Sequence, residues 1–164
     1  MDWDGLDKLY AAYYQELFLY IYSLCQNKAL AEDILQDTFL KAYFSLPNQH
    51  KNTRAWLYLV ARNQFFDFQR HQKYQKDSEN SIESPNNEPE ETLLKNEKQR
   101  ELYKAMSQLE PRKREILSMQ YFVGMSHKEI GSILNIRPDY VRVLGCRAKK
   151  ELKAIIEEAE HEVP

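Results

Sequence analysis

The chain has 164 residues, 23 Lys and Arg against 25 Asp and Glu, a formal net charge of −2, four glycines and two cysteines. That length suits one domain or two small ones, no apolar run approaches the roughly 18 residues of a membrane span, and no signal peptide opens the sequence. Cys25 and Cys146 are isolated and lack metal-ligand spacing, which fits a reducing cytosol and no structural zinc. Few glycines and a mixture rich in Leu, Glu, Lys, Gln and Ala predict an all-α fold. The charge is unevenly spread. Residues 1–70 carry −1, residues 71–94 carry −4, residues 95–156 carry +7 with fourteen basic side chains, and 157–164 are purely acidic among their charged groups. A basic segment inside an acidic chain suits a polyanionic partner.

Taken in order, Leu6, Leu9, Tyr13, Leu17, Ile21 and Leu24 recur at helical spacing and predict one amphipathic helix over 5–25. The tyrosines among them (Tyr10, Tyr13, Tyr14, Tyr20, Tyr22) read as edges of a core. Asn27 is expected to cap a second helix over about 28–46, with Leu30, Ile34, Leu35, Thr38, Ala42 and Tyr43 turned inward. Its other side carries Asp33, Gln36, Asp37, Leu40 and Lys41. Leu40 beside polar groups fits a protein-docking surface and equally fits an ordinary solvated face, since single exposed leucines are common. A polar connection at 47–53 follows. Thr53 is expected to cap a third helix to about Gln72, in which Trp56, Leu57, Val60, Phe65 and Phe68 cover more than half the circumference. Arg54, Arg62, Asn63, Phe66 and Arg70 are interleaved with them. Cations and an amide beside aromatics suit unpaired bases and their phosphates; a core helix with a polar rim has the same pattern.

Residues 73–94 lose all periodicity. Prolines, repeated Ser, Asn and Glu, and few apolar groups predict a flexible acidic linker between two helical modules, 1–72 and 95–160. The second module begins with a helix near 95–108, with Leu102, Ala105 and Met106 inward. Pro111 opens another, with Ile116, Leu117 and Tyr121 on its apolar side, and Gly124 ends it. Ser126 then caps a short helix carrying Ile130, Ile133 and Leu134. Asn135 tolerates the left-handed conformation that closes a helix, Ile136 turns back to the core, and Pro138 opens a last helix. On that helix Val141, Ala148 and Leu152 share a face, while Arg142, Val143, Cys146, Arg147, Lys149 and Lys150 point outward. The tail from Glu157 is expected to fray. Two short helices, a tight turn and a basic outer face on the second helix describe a helix-turn-helix able to meet a major groove. Phosphates are neutralised by such cations, and an arginine grips a guanine edge with two donors.

No glycine-rich phosphate loop, nucleophile motif or metal-spaced His/Cys group occurs, and His50, His71, His127 and His161 are scattered, so neither an enzyme nor a bound cofactor is expected. The residues alone leave open a stand-alone helix-turn-helix regulator whose N-terminal module binds another protein.

With these motifs in order, the chain resembles the extracytoplasmic-function (ECF) sigma factors of bacterial RNA polymerase. AEDILQDTFLKAY is similar to the family's polymerase-docking segment, and AWLYLVARNQFFDFQR to its second motif. LEPRKREILSMQYFVGMSHKEIGSIL and VRVLGCRAKKEL are similar to its promoter-reading C-terminal domain. The resemblance implies docking on core RNA polymerase through Asp33, Gln36, Asp37 and Leu40, and contact with the melted downstream promoter element through Asn52, Arg54, Arg62 and Asn63. It implies reading of the upstream promoter DNA by Ser126, Lys128, Tyr140, Arg142, Val143, Cys146, Arg147, Lys149 and Lys150. It further implies a linker along the polymerase RNA channel, an anti-sigma factor as partner, no small-molecule substrate, and a cytoplasmic protein, free or held at the membrane by that partner. Two departures stand out. Arg137-Pro138 replaces the usual Ser or Thr at the start of the recognition helix, and Leu144-Gly145 replaces the usual basic and apolar pair, so Leu144 is expected to restore packing through a small rotation.

Overall fold

The computed structural model describes residues 3–45, 52–78 and 97–161, and these residues are helical apart from short turns. The elements are α1 (Trp3–Cys25), α2 (Lys28–Ser45), α3 (Thr53–Ser78), α4 (Glu97–Met106), α5 (Pro111–Leu117, continuing into a π-helical turn at Ser118–Phe122), α6 (His127–Leu134) and α7 (Pro138–His161). The all-α expectation holds. Residue 46, the predicted last residue of the second helix, residues 47–51 of the predicted polar connection, and the predicted linker from residue 79 on lie outside the described residues.

The chain reverses between α1 and α2 in two residues. Gln26 takes the left-handed conformation that ends α1 (φ 51°), and the Asn27 side-chain oxygen accepts the Leu30 N–H at 3.1 Å, capping α2 as predicted. Ala31, Ile34, Leu35, Thr38, Phe39 and Ala42 are buried, while Leu30 and Tyr43 sit at the edges. Thr38 tolerates burial because its hydroxyl donates to the Ile34 carbonyl at 2.8 Å. The cap of α3 falls one residue before its predicted place: the Asn52 side-chain oxygen accepts the Ala55 N–H at 3.1 Å. The helix also outruns its predicted end by six residues, to Ser78, because Lys73, Gln75 and Lys76 are good helix formers and no Gly or Pro intervenes.

In the second half, α5 widens into its π turn, and the extra residue per turn shifts the inward stripe. Ser118 and Met119 thereby become fully buried, and Tyr121, expected inward, is 54% exposed. Gly124 (φ 75°) ends the turn. The Ser126 hydroxyl accepts the Glu129 N–H at 3.1 Å, Asn135 is left-handed at φ 57°, and the Ile136 N–H returns to the Gly131 carbonyl at 3.0 Å. That return brings the Ile136 carbonyl so close that a Cβ on Gly131 would lie 2.6 Å from it. The helix-turn-helix is present as predicted. Its last helix stays helical to His161, past the point at which fraying was expected.

The two helical modules are in direct contact. Leu17, Tyr20, Ile21, Leu35, Leu57, Tyr58 and Ala61 of the first half share one core cluster with Ile116, Met119, Ile130, Ile133 and Val141 of the second. The cause lies in α1: from Leu17 to Leu24 every residue is buried except half-buried Leu19, so this stretch is apolar around most of its circumference and needs cover on more than the α2–α3 side. Each large apolar side chain so buried contributes about 1.5–3 kcal/mol. Polar pins cross the same boundary. The Gln26 side-chain amide donates to the Tyr103 carbonyl at 2.7 Å. The Arg114 guanidinium donates to the carbonyls of Met106, Ser107 and Leu109 and, across the boundary, Leu24, each at 3.0 Å.

Candidate polymerase and nucleic-acid interfaces

The outer face of α7 is built by the spacing of its inner one. Val141, Leu144, Gly145 and Ala148 are buried, which turns Tyr140, Arg142, Val143, Cys146, Arg147, Lys149 and Lys150 to solvent. Lys149 rests over the Tyr121 ring at 5.7 Å, the contact that the π turn makes available. Both departures have structural answers. Pro138 needs no N–H partner at a first helical position, the Arg137 carbonyl accepts the Tyr140 and Val141 N–H groups at 3.0 Å, and Asp139 supplies negative charge at the positive end of the helix dipole. Leu144 is 7% exposed and restores the packing. Gly145 accommodates the Gln120 side chain, 3.1 Å from where a Cβ would sit. On α6, Lys128 is exposed, and exposed Ser126 has its hydroxyl engaged in the cap.

On α3 the four residues expected near the downstream element have different surroundings. Asn63 is exposed. Asn52 uses its oxygen as the helix cap. Arg54 donates to Glu16 of α1 at 3.1 Å and lies 3.9 Å from Glu129 of α6. Burial disfavours charge on both Arg54 and Glu16, and attraction to the carboxylates nonetheless raises the arginine, while burial wins at Glu16 and raises its carboxyl. Arg62 donates to Glu115 of α5 at 2.6 Å, with the carboxylate 1% exposed, and its guanidinium also lies over the Phe66 ring at 4.7 Å. The Tyr20 hydroxyl donates to the same Glu115 oxygen at 2.7 Å. Burial, then the Glu115 carboxylate, push the Tyr20 phenol well above its ordinary range. Beyond Arg62, a groove continues past Asn63, Phe66, Arg70 and Lys73.

The outer face of α2 presents Asp33, Gln36, Asp37, Leu40 and Lys41 to solvent. Leu40 is 48% exposed, and Phe44, one turn on, is 77% exposed. Beside them a groove between α1 and α2 is lined by Leu6, Tyr10, Tyr14 and Phe39, with Gln36 and Glu32 at its rim. Tyr10 stacks on Tyr14 at 4.4 Å between ring centroids, which keeps this apolar wall in place.

Comparison with known proteins agrees with this architecture. The Sigma-70 region 2 family matches residues 9–74, and Sigma-70, region 4, matches residues 99–152. The ECF RNA polymerase sigma factor SigM of Bacillus subtilis is 33% identical over 162 residues, covering 92% of this chain and 94% of its own length. The chain belongs to the ECF sigma factors. The RNA polymerase sigma factor YlaC, also from Bacillus subtilis, is 31% identical over 157 residues, covering 92% of this chain and 91% of its own. The fold is that of the sigma factor RpoE from Bartonella quintana, solved in complex with the anti-sigma factor NepR, with a TM-score of 0.76, 23% identity, and coverage of 94% and 95% of the two chains. CnrH, solved with the cytosolic domain of CnrY, gives a TM-score of 0.73 at 21% identity, with 94% and 89% covered.

This sigma factor is therefore a transcription initiation protein of RNA polymerase, and the match to region 2 over the N-terminal half sets aside the stand-alone regulator. Sigma factors as a family act without catalysis. No described helix is long and apolar enough to cross a membrane. The residues that pattern reading missed are Glu115, Tyr20 and Arg114, which join the two halves of the sigma factor. Glu115 lies in the run Arg112–Glu115, where a charged residue next to three cations reads as surface. The available signal was its position directly before Ile116, on the side of α5 that faces inward.

Proposed function

We propose that this sigma factor divides promoter recognition between its two halves. Residues 1–72 dock on core RNA polymerase through Asp33, Gln36, Asp37 and Leu40 and hold the melted downstream element along α3 with Asn52, Arg54, Arg62 and Asn63. Residues 95–160 read the upstream element as duplex, with Arg142 and Arg147 at base edges and Lys128, Lys149 and Lys150 on phosphates. Ser126, Tyr140, Val143 and Cys146 complete that surface. The remainder of the acidic linker predicted at 73–94, beyond the end of α3 at Ser78, follows the polymerase RNA channel. The protein has no catalytic activity of its own, works in the cytoplasm, and is held inactive there or at the membrane by an anti-sigma factor.

The observation that carries the reading is the basic surface of α7, where Arg142, Arg147, Lys149 and Lys150 are exposed while Val141, Leu144, Gly145 and Ala148 are buried. The exposed Asp33–Gln36–Asp37–Leu40 face of α2 supports polymerase docking. The test is transcription with purified core polymerase on a genomic fragment library. Specific starts are expected only when this protein is added, and starts identical with and without it would reject the reading. In the same system, Gln36→Ala with Asp37→Lys is expected to abolish co-elution with core polymerase while helicity is kept; retained co-elution would remove α2 as the docking face.

A further inference from the structure

One cation on the outer face of α7 is held by a side chain that a regular helix would have buried. Carried on at the usual pitch, α5 would set Tyr121 one turn beyond buried Leu117 and so turn it inward. The π turn at Ser118–Phe122 adds a residue to that turn and swings Tyr121 out to 54% exposure. Two contacts with α7 then follow in step. The Gln120 side chain lies against Gly145, 3.1 Å from where a Cβ would stand. One helical turn further along α7, the Lys149 ammonium lies over the Tyr121 ring, 5.7 Å from its centroid. Lys149 shares a stripe with Arg142 and Cys146, from which it is spaced by seven and three residues, and all three are exposed.

How a cation is held decides what it can do next. Lys113 of α5 is bound to Glu151 at 2.6 Å, and a carboxylate so placed neutralises the charge and takes donors that a phosphate would use. Around Lys149, the residues one turn to either side are Gly145, Cys146, Leu152 and Lys153, none of them a carboxylate. A ring face attracts an ammonium through its quadrupole, adds no net charge, and covers only one side of it. The ammonium keeps its charge and its uncovered donors for another acceptor. Part of the rotamer freedom that a long side chain gives up on binding has then been lost beforehand. We infer that Tyr121 is a positioning residue for duplex binding: its ring holds Lys149 beside the Arg142 stripe, ready for a backbone phosphate of the upstream element. The inference rests on the reading of α7 as the duplex-reading helix.

The experiment compares Tyr121→Leu, which keeps bulk and removes the ring, with Tyr121→Phe, which keeps the ring. Each is made in the full chain and bound to core polymerase. Affinity for a promoter fragment recovered from the library transcription is measured at two salt concentrations, with Lys149→Ala and the pair Tyr121→Leu, Lys149→Ala alongside. Tyr121→Leu should bind about two- to fivefold more weakly than wild type, and Tyr121→Phe should match wild type. In the Lys149→Ala background, Tyr121→Leu should cost nothing further. Wild-type affinity for Tyr121→Leu, equal weakening by Leu and Phe, or an equal loss in both backgrounds each overturns the inference. Should Tyr121→Leu lose helicity, Tyr121→Met takes its place with the same expectations, since Met suits a helix and has no ring. Failure of the α7 reading looks different: Lys149→Ala then leaves affinity and its salt dependence unchanged. A Lys149→Ala variant that lowers the salt slope by about one, beside an unaltered Tyr121→Leu, removes the positioning role alone. A library that yields no specific start removes the reading and the inference with it.

Discussion

At the scale of single residues, the two buried glycines of the helix-turn-helix face different neighbours, and the difference decides what a methyl group would do. A Cβ on Gly131 would meet the backbone carbonyl of Ile136 at 2.6 Å. A backbone atom fixed by the turn cannot swing aside, so the turn itself must move. Gly131→Ala is expected to destabilise the chain by about 1–3 kcal/mol. A Cβ on Gly145 would meet the side-chain oxygen of Gln120 at 3.1 Å. That oxygen ends a flexible side chain, and a helical alanine gains up to about 1 kcal/mol over glycine. Gly145→Ala should therefore leave stability unchanged or raise it. Urea unfolding of both variants checks the contrast, and equal midpoints would refute it.

Among the elements, α7 invites the sharpest functional test, because its exposed cations fall at two distances from the helix N-terminus. Arg142 lies near the end that reaches base edges in this motif, whereas Lys149 and Lys150 come two turns later. Arg142→Ala is expected to cost about 1–3 kcal/mol and relax sequence preference at one or two upstream positions. Lys149→Ala with Lys150→Ala should weaken all promoters alike and flatten the salt dependence. Selection from randomised upstream elements at two salt concentrations separates the two; identical preferences for wild type and Arg142→Ala would reject base reading. The elements were also what the sequence disclosed best. The caps at Asn27 and Ser126, the left-handed Asn135 and the Pro138 start are local devices, written in the residues that perform them. Tyr121 was misplaced because a π turn leaves no mark in a pattern read at 3.6 residues per turn. Among the candidate site residues, the exposure of the α2 and α7 faces followed from periodicity alone. The partners of Arg54 and Arg62 did not, since Glu129 and Glu115 stand 75 and 53 positions away and only the tertiary packing brings them near.

For the whole molecule, the tyrosines at the boundary between the halves tie its closure to pH. Tyr20 and Tyr58 pack at 5.1 Å between centroids, with Tyr20 bonded across to Glu115, and Tyr22 meets Tyr103 of the second half edge-on at 5.5 Å. Burial raises the phenols of Tyr20 and Tyr58 far above their ordinary range, and raises Tyr103, also near Tyr22, to about 12. Tyr14, on the α1–α2 groove, is likewise raised by burial to about 12. An unfolded phenol loses its proton near pH 10. Below that value both states keep the proton and stability is whole. Above it the unfolded state releases protons that the folded state retains, so the unfolded state holds fewer and stability falls as pH rises. The loss deepens until the folded phenols themselves ionise, at about pH 12 for Tyr14 and Tyr103. Thermal midpoints are therefore expected to hold level through neutral pH and to drop steeply above pH about 10. Phenolate absorbance should then show a component that appears only together with the loss of helix or of compaction. A Tyr20→Phe variant loses one of these phenols along with its bond to Glu115, so it should start less stable at neutral pH and decline less steeply above pH about 10. A slope identical to the wild type would show that Tyr20 is not among the protons coupling closure to pH.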